Sequence, residues 1–340
     1  MNGYERVKSA LAGEKADYRP VMLHNFQHCI RESGISFGEF RACAKTAAEC
    51  FIKNAEKYDL DGILIDFDTA TLAGACGCEV VYPDDKAAVA TKHVLNDIED
   101  VSKLLPVALE NSRAVEVWLE TSRLIVDYFG KEKYIRCNCD QAPFSLASML
   151  RGSQELMMDL VDEDYEEEIM QLLRYSNDVT KQFIRMAAQT GAHCVSNGDS
   201  VAGPAMISPE MYEKFAVPFE REVAQEAHAN GVDYFLHICG DTTKILSAFP
   251  TLGVDAMELD YKTNPQTMHD ILSKSVAVSG IFDPSGLFLL GNAGDVEREV
   301  GRLLTVYEDS YRLILCSGCA LSPDTPEENV RAFVSAVRGK

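Results

Sequence analysis

Two short stretches carry side chains suited to holding a metal. "DYFLHICGD", residues 233–241, sets His237 and Cys239 two apart in a run that otherwise reads as a buried strand. Side chains alternate faces along a strand, so both project to one side. Far downstream, "LCSGCALSPDTP" supplies Cys316 and Cys319 at the end of another apolar run. Imidazole nitrogen and thiolate sulfur are the donors zinc prefers. Three protein ligands and an open fourth position make a catalytic zinc, whereas four ligands close a structural one. Because Cys316 and Cys319 form a Cys-x-x-Cys pair, residue types alone leave three readings open. They are a catalytic metal, a structural Cys3His site, and plain buried thiols beside a buried imidazole.

These side chains need elements that bring them together. Eight apolar runs recur along the chain: "RPVMLHNF", "DGILIDFD", "KYIRCNCD", "AHCVSNGD", "DYFLHICGD", "VDAMELD", "KSVAVSGIFD" and "RLILCSGC". Most are short, rich in Val, Ile, Leu or Phe, and bounded by charged or turn residues. Stretches of helical period lie between them. "DYEEEIMQLLRYSNDVTKQFIRMAAQTG" has acids in its first turn and Gly191 at its end, and "SPEMYEKFAVPFEREVAQEAHANG" opens with Pro209 and Glu210. Alternating strands and helices predict an α/β fold, a single (β/α)8 TIM barrel preceded by a polar, amphipathic N-terminal helical extension. With no linker or internal repeat, residues 1–340 read as one domain. In such a barrel the loops after the strands build the active site. Here the strands end in His24 and Asn25, in Asp66 and Asp68, in Asp199, and in the His237–Cys239 and Cys319 ends. Each carboxylate or amide there is a candidate for substrate binding or for capping the next helix.

Composition narrows the partners. With 53 acidic and 32 basic residues the formal net charge is −21, which repels phosphate backbones and anionic lipid. Nucleic acid and membrane surfaces are therefore not expected partners, and the single Trp gives little base-stacking surface. The 11 cysteines form no small disulfide framework and suit a reducing cytoplasm. The N-terminus "MNGYERVKSALAGEKADYRP" has no apolar core of a secretory signal. Oligomeric state stays open, a homo-oligomer included. "CNC" at 137–139 and "CGC" at 76–78 present further thiol pairs, read first as small buried hydrophobes.

A family resemblance extends over most of the chain. "HICGD" followed by "SGCALSPDTPEENV" resembles the His-x-Cys…Cys signature of methylcobamide:coenzyme M methyltransferases, within the uroporphyrinogen decarboxylase superfamily. "DQAPFSLASMLRGSQELMMDLVDEDYEEEIMQLL", "NGDSVAGPAMISPEMYEKFAVPF" and "SGIFDPSGLFLLG" are similar to three other blocks of that superfamily. Its decarboxylases carry an N-terminal arginine-rich stretch that meets the carboxylates of a tetrapyrrole. This chain has "VMLHNFQHCIRESG" there, with only Arg31, so the resemblance favours the methyltransferase branch. The alternatives are a decarboxylase-like enzyme acting on a tetrapyrrole and a non-catalytic barrel that binds a corrinoid or tetrapyrrole.

Residue by residue, the resemblance implies His237, Cys239 and Cys319 as catalytic zinc ligands, with Cys316 left out. Glu258, at the neighbouring strand's rim, is a candidate oxygen ligand when substrate is absent, a helix cap, or a partner for a lysine. Asp199 falls in a matched block. A carboxylate orienting the His237 ring is physically expected, and Asp241 or Asp283 is a candidate for it. The implied reaction moves a methyl group from a methylated corrinoid, carried by a partner corrinoid protein, to a small-molecule acceptor. Coenzyme M, another thiol such as homocysteine, and tetrahydrofolate are all open. Zinc makes chemical sense here, because a free thiol is mostly protonated at neutral pH and a metal-bound one is deprotonated.

Overall fold

The computed structural model describes residues 1–339. Seven parallel strands form one curled sheet, in the order β1 (Gly62–Ile65), β4 (Tyr134–Gln141), β5 (Cys194–Gly198), β6 (Asp233–Ile238), β7 (Ala256–Leu259), β8 (Ala277–Phe282) and β9 (Leu313–Ser317). A small antiparallel hairpin, β2 (Glu79–Val81) with β3 (Val89–Lys92), stands apart from it. Of the eight expected strands, seven form as ladders. The first, "RPVMLHNF", is reduced to one parallel bridge between Val21 and Leu315.

That bridge still occupies the eighth position of the barrel. Met22 N–H donates to the Leu315 carbonyl and Leu315 N–H to the Pro20 carbonyl. On the other side, Asp61 and Gly62 N–H groups both donate to the Val21 carbonyl. The segment is short for a local reason. Pro20 has no N–H, and the Val21 N–H goes to the Asp61 carboxylate at 2.9 Å instead of a ladder carbonyl.

Helices cover the outside. They include Ala44–Lys57 before β1, Arg113–Phe129 before β4, Glu166–Ala188 before β5, Val217–Ala229 before β6 and Ala293–Val306 before β9. The helix expected from Ser208 onward does begin there, with the Ser208 hydroxyl accepting from Met211 N–H at 3.2 Å. It widens into a π turn over Tyr212–Ala216 ahead of Pro218, which offers no N–H to an α ladder. Between β6 and β7 only a short 3-10 turn, Leu246–Thr251, takes the place of a helix.

Strand alternation sorts the barrel interior into layers. At the bottom, Met22, Tyr134, Cys194, Phe235, Ala256, Ala277 and Ile314 pack together and against Val7 and Ala10 of the N-terminal helix Gly3–Ala12. That helix is thus the barrel's floor. It is pinned by Arg6 to Asp61 at 2.9 Å and by Lys8 to Asp233 at 2.7 Å. Two residues further along each strand the interior turns polar: Arg136, Ser196, Glu258, Ser279 and Cys316 are all buried. His24 and His237 stand two residues beyond Met22 and Phe235, and Asn138 two beyond Arg136; with Asp66 they carry the polar character to the mouth. Apolar floor, ionic middle and polar mouth follow from period-two alternation on strands that start together.

Candidate metal centre and cavity

β6 ends at Ile238 with His237 on its inner face, Cys239 follows directly, and the turn after β9 carries Cys319. The His237 Nε2 lies 2.9 Å from the Cys239 Sγ, and the two Sγ atoms of Cys239 and Cys319 are 3.9 Å apart. One donor atom from each of the three lies within 4.8 Å of the others. Two thiolates ~2.3 Å from one tetrahedral ion would stand roughly 3.8 Å apart, so the sulfur pair fits zinc as it stands. The nitrogen–sulfur separation is that of a hydrogen bond and would open by about half an ångström around an ion. Cys316, three residues before Cys319, is fully buried and is not in this group.

The imidazole is aimed by its surroundings. His237 Nδ1 lies 3.1 Å from the backbone carbonyl of Glu258, which can only accept, so Nδ1 carries the hydrogen and Nε2 is left to face the sulfurs. The Glu258 side chain lies behind the same ring edge, Oε1 being 3.4 Å from Nδ1. That carboxylate is wholly buried, hydrogen-bonded by Arg136, and reached by His24 Nδ1 at 3.3 Å. Burial works against its charge, yet Arg136 and the two histidines hold its pKa well below the usual carboxylate range. Glu258 therefore takes the orienting place for which Asp241 and Asp283 were candidates. Those two cap local turns, Asp241 at Thr243 and Asp283 at Ser285 and Gly286.

In the metal-free geometry the sulfurs share charge unequally. Cys239 accepts from the Cys319 thiol and from His237, which hold it ionised well below the ordinary thiol range against the opposing effect of burial. Cys319, as the donor, is pushed up by the same contact and by burial. Burial disfavours a charged His237, but the Cys239 thiolate and Glu258 raise its pKa to about 9.

These groups face a cavity of about 350 Å³ at the C-terminal end of the barrel. Of the sequence-predicted binding residues, the cavity wall includes His24, Asp66 and Asp68 together with the three metal candidates and Glu258. His24 bridges the site: its Nε2 is 2.8 Å from Asp66, opposite the contact with Glu258. Burial lowers its affinity for a proton, but the two carboxylates overcome this and raise its pKa to about 9. Two predicted residues do not reach the cavity wall. Asn25 is buried and donates to the Asn54 side chain at 2.7 Å. Asp199 is buried behind β5, where it accepts from Ser145 N–H at 2.7 Å. Burial pushes its pKa up to about 6 beside buried Glu220, itself raised by burial and by Asp199 and hydrogen-bonded by Tyr212 at 2.6 Å. Both placements have one cause. A polar residue at a strand's end can point into the mouth or sideways into a helix joint, and Asn25 and Asp199 do the latter. The thiols of Cys137 and Cys139 are buried in the strand–helix core, on the opposite face of β4 from Arg136 and Asn138.

Sequence reading passed over Arg136, Asn138 and Asp140. The signal was present: "YIRCNCD" places a charge and two further polar groups at alternate positions of a strand whose other residues are apolar or thiol. A buried arginine there demands a carboxylate at the same level, and Glu258 on β7 is that carboxylate. The β2–β3 hairpin, which puts Ala87, Ala88 and Val89 over the cavity, was also missed. Short alternating Val runs around "YPDD" are its signature.

A closed parallel barrel with a nitrogen and two sulfurs converging at its mouth defines a class of metal-capable barrel enzymes. Within that class, this chain belongs to the uroporphyrinogen decarboxylase (URO-D) family, which matches residues 2–339. It is 26% identical over 338 residues to the methylcobamide:CoM methyltransferase MtbA of Methanosarcina acetivorans, covering 98% of this chain and 97% of that one. It is 24% identical over 343 residues to a methylated-thiol–coenzyme M methyltransferase of Methanosarcina mazei, covering 99% and 89%. It is also 25% identical over 350 residues to human uroporphyrinogen decarboxylase, covering 96% and 91%. A solved methyltransferase from Methanosarcina mazei superposes with a TM-score of 0.90 at 22% identity, covering 100% and 99%. Identity alone does not separate the two activities among these relatives; the site has to. Among the described residues no helix is long and apolar enough to cross a membrane.

Proposed function

We propose that this protein is a zinc-dependent methyltransferase that moves a methyl group from a methylcorrinoid, carried by a partner protein, to a small thiol. The observation that carries the reading is the His237–Cys239–Cys319 group, gathered within 4.8 Å at the cavity with its imidazole tautomer fixed. The relatives' names support a thiol acceptor over tetrahydrofolate. The family match over residues 2–339 supports reading the chain as one domain, and eleven unpaired cysteines support a reducing cytoplasm.

When bound, zinc supplies a deprotonated acceptor sulfur at neutral pH. The chain's own residues do the rest. Cys239, Cys319 and His237 would hold the ion, the two thiolates and a neutral imidazole balancing its charge. Glu258 holds the ring through its carbonyl and is itself held by Arg136. The acceptor sulfur forms a C–S bond to the methyl carbon, the Co–C bond breaks, and both its electrons stay on cobalt as Co(I). The thiol's proton leaves to solvent. A cavity of about 350 Å³ admits a small acceptor, while a corrin ring with its side chains exceeds it. The corrinoid is therefore presented across the mouth and not swallowed.

The decarboxylase reading is disfavoured by the same cavity. Its one arginine, Arg136, is already bound to Glu258, so no free arginine pair awaits the carboxylates of a tetrapyrrole. The test is metal analysis of protein purified under reducing, chelator-free conditions, followed by an absorbance assay for Co(I) with methylcobalamin and a thiol. We expect one zinc per chain, lost in Cys239→Ala and in Cys319→Ala together with transfer. Wild-type protein without zinc would remove the reading.

A further inference from the structure

The charges of the cavity are lopsided once their own pairings are counted. Among the described residues that line it, the cations are Arg136, His24 and His237. Arg136 is bound to Glu258, and His24 sits between Asp66 and Glu258. His237 is turned to the Glu258 carbonyl and Cys239. Arg41, whose charge is felt at Asp68 from outside the cavity wall, donates instead to the Pro83 and Lys86 carbonyls.

The wall built by β1 and β4 shows the reverse. Asp68 and Asp140 both line the cavity, and neither has an ion pair. Asp68 accepts the Ala70 and Thr71 N–H groups and the Thr71 hydroxyl on Oδ1 alone, leaving Oδ2 without a donor. Asp140 accepts Leu72 N–H at 2.7 Å on Oδ2, and its Oδ1 is buried without any partner. The backbone of Asp140 is held at φ +60, a region uncommon for residues other than glycine. A buried carboxylate oxygen lacking a donor, on a strained residue facing a cavity, marks a place where a ligand completes the hydrogen bonding. Burial pushes both carboxyls above the ordinary range, and neighbouring negative charge adds to this, Asp66 acting on Asp68 and both Asp68 and Asp66 on Asp140. A cation between them would relieve that.

We infer that the methyl acceptor carries a nitrogen head group, an ammonium or comparable N–H donor, which settles against Asp68 and Asp140 while its sulfur meets the metal centre. This rests on the thiol-methyltransferase reading above. It sets the present chain apart from relatives named for coenzyme M, which is 2-mercaptoethanesulfonate. A sulfonate would bring negative charge into a wall already acidic, with no free cation to receive it.

A matched pair of ligands tests this. 2-Aminoethanethiol and 2-mercaptoethanesulfonate share a two-carbon spacer and differ in head-group charge. Zinc-loaded protein is titrated calorimetrically with the S-methyl form of each, which requires no turnover. We expect the amine to bind at least tenfold tighter, and Asp68→Asn and Asp140→Asn each to cut that preference at least fivefold. Asp68 also holds a turn, so circular dichroism checks its variant. Asp140→Asn keeps an oxygen for Leu72 N–H. Equal or tighter sulfonate binding, or a preference unmoved in both folded variants, overturns the inference. The two thiols are then given with methylcobalamin and Co(I) is followed. Amine binding without transfer to either thiol would sink the methyltransferase reading and leave the head-group assignment standing. Transfer that prefers the sulfonate thiol would do the opposite.

Discussion

His24 ties the two halves of the cavity together, and its titration is measurable. Unfolded, its pKa is ~6.5; folded between Asp66 and Glu258 it is raised to about 9. A raised histidine stabilises the fold fully below the unfolded value, where both states carry the proton. The contribution fades as pH climbs and is gone above the folded value, where neither does. The window is therefore roughly pH 6.5 to 9, and the size is on the order of 3 kcal/mol. We expect the difference in thermal midpoint between wild type and His24→Gln to be largest at pH 6 and to shrink steadily toward pH 10. A difference that stays constant across that range would show that the ionic contacts of His24 contribute nothing. At this scale the sequence was legible where donor type limits role. His237, Cys239 and Cys319 stood out because few other uses demand that set on a strand's inner face. Asn25 and Asp199 were less legible, because an amide or carboxylate at a strand end serves a helix joint as readily as a ligand.

Elements place these residues through close approaches that only backbone geometry explains. Gly280 lies within β8 at φ +101, and a Cβ there would stand 2.5 Å from the Leu259 carbonyl oxygen and 3.4 Å from the Gly318 Cα. Gly318 in turn lets the turn after β9 rest on Asp260, where an added Cβ would meet Asp260 Cα at 3.1 Å. The two glycines bring the Cys319 turn down onto the end of β7, the strand that carries Glu258. Ile281, the next residue, is also held at positive φ, 78°, rare for a β-branched residue. Strain of this kind collects at functional rims. Gly280→Ala should lower stability by about 2 kcal/mol or more through the left-handed backbone and the clash with Leu259. It should also weaken zinc retention by displacing Cys319. Denaturant unfolding and competition with a chromogenic chelator read the two effects, and an unchanged zinc affinity would show that Cys319 is positioned by something else. The barrel itself was legible because strand and helix periods differ and alternate along the chain. Its shortened first strand was not, because the Asp61 carboxylate that replaces a ladder carbonyl at Val21 lies forty residues away.

On the scale of the whole molecule, the mouth must serve two visitors of very different size. The small acceptor is served by the cavity; the corrinoid arrives on a protein and needs a surface. Large apolar side chains stand exposed on loops that follow several strands at that end. They are Val81, Tyr82 and Val89 of the hairpin, Met206 after β5, Tyr261 after β7 and Leu290 after β8, the last 80% exposed. Scattered singly they would mean little, but together on one face they suit a partner that covers the mouth. The net charge of −21 sets the complement, since a partner with a basic rim would be drawn to this surface and an acidic one repelled. Substitutions here separate docking from chemistry. Leu290→Asp and Met206→Asp should leave turnover with free methylcobalamin within about twofold of wild type, because neither residue lines the cavity. With the corrinoid held on its protein, the same variants should lose roughly tenfold or more in kcat/KM, as truncated interface contacts do. Raising the salt concentration should slow wild type with the protein-bound donor and leave the free-donor rate alone. If both donors respond alike to the substitutions and to salt, the partner docks elsewhere, and the exposed residues around the mouth have no part in delivering the methyl group.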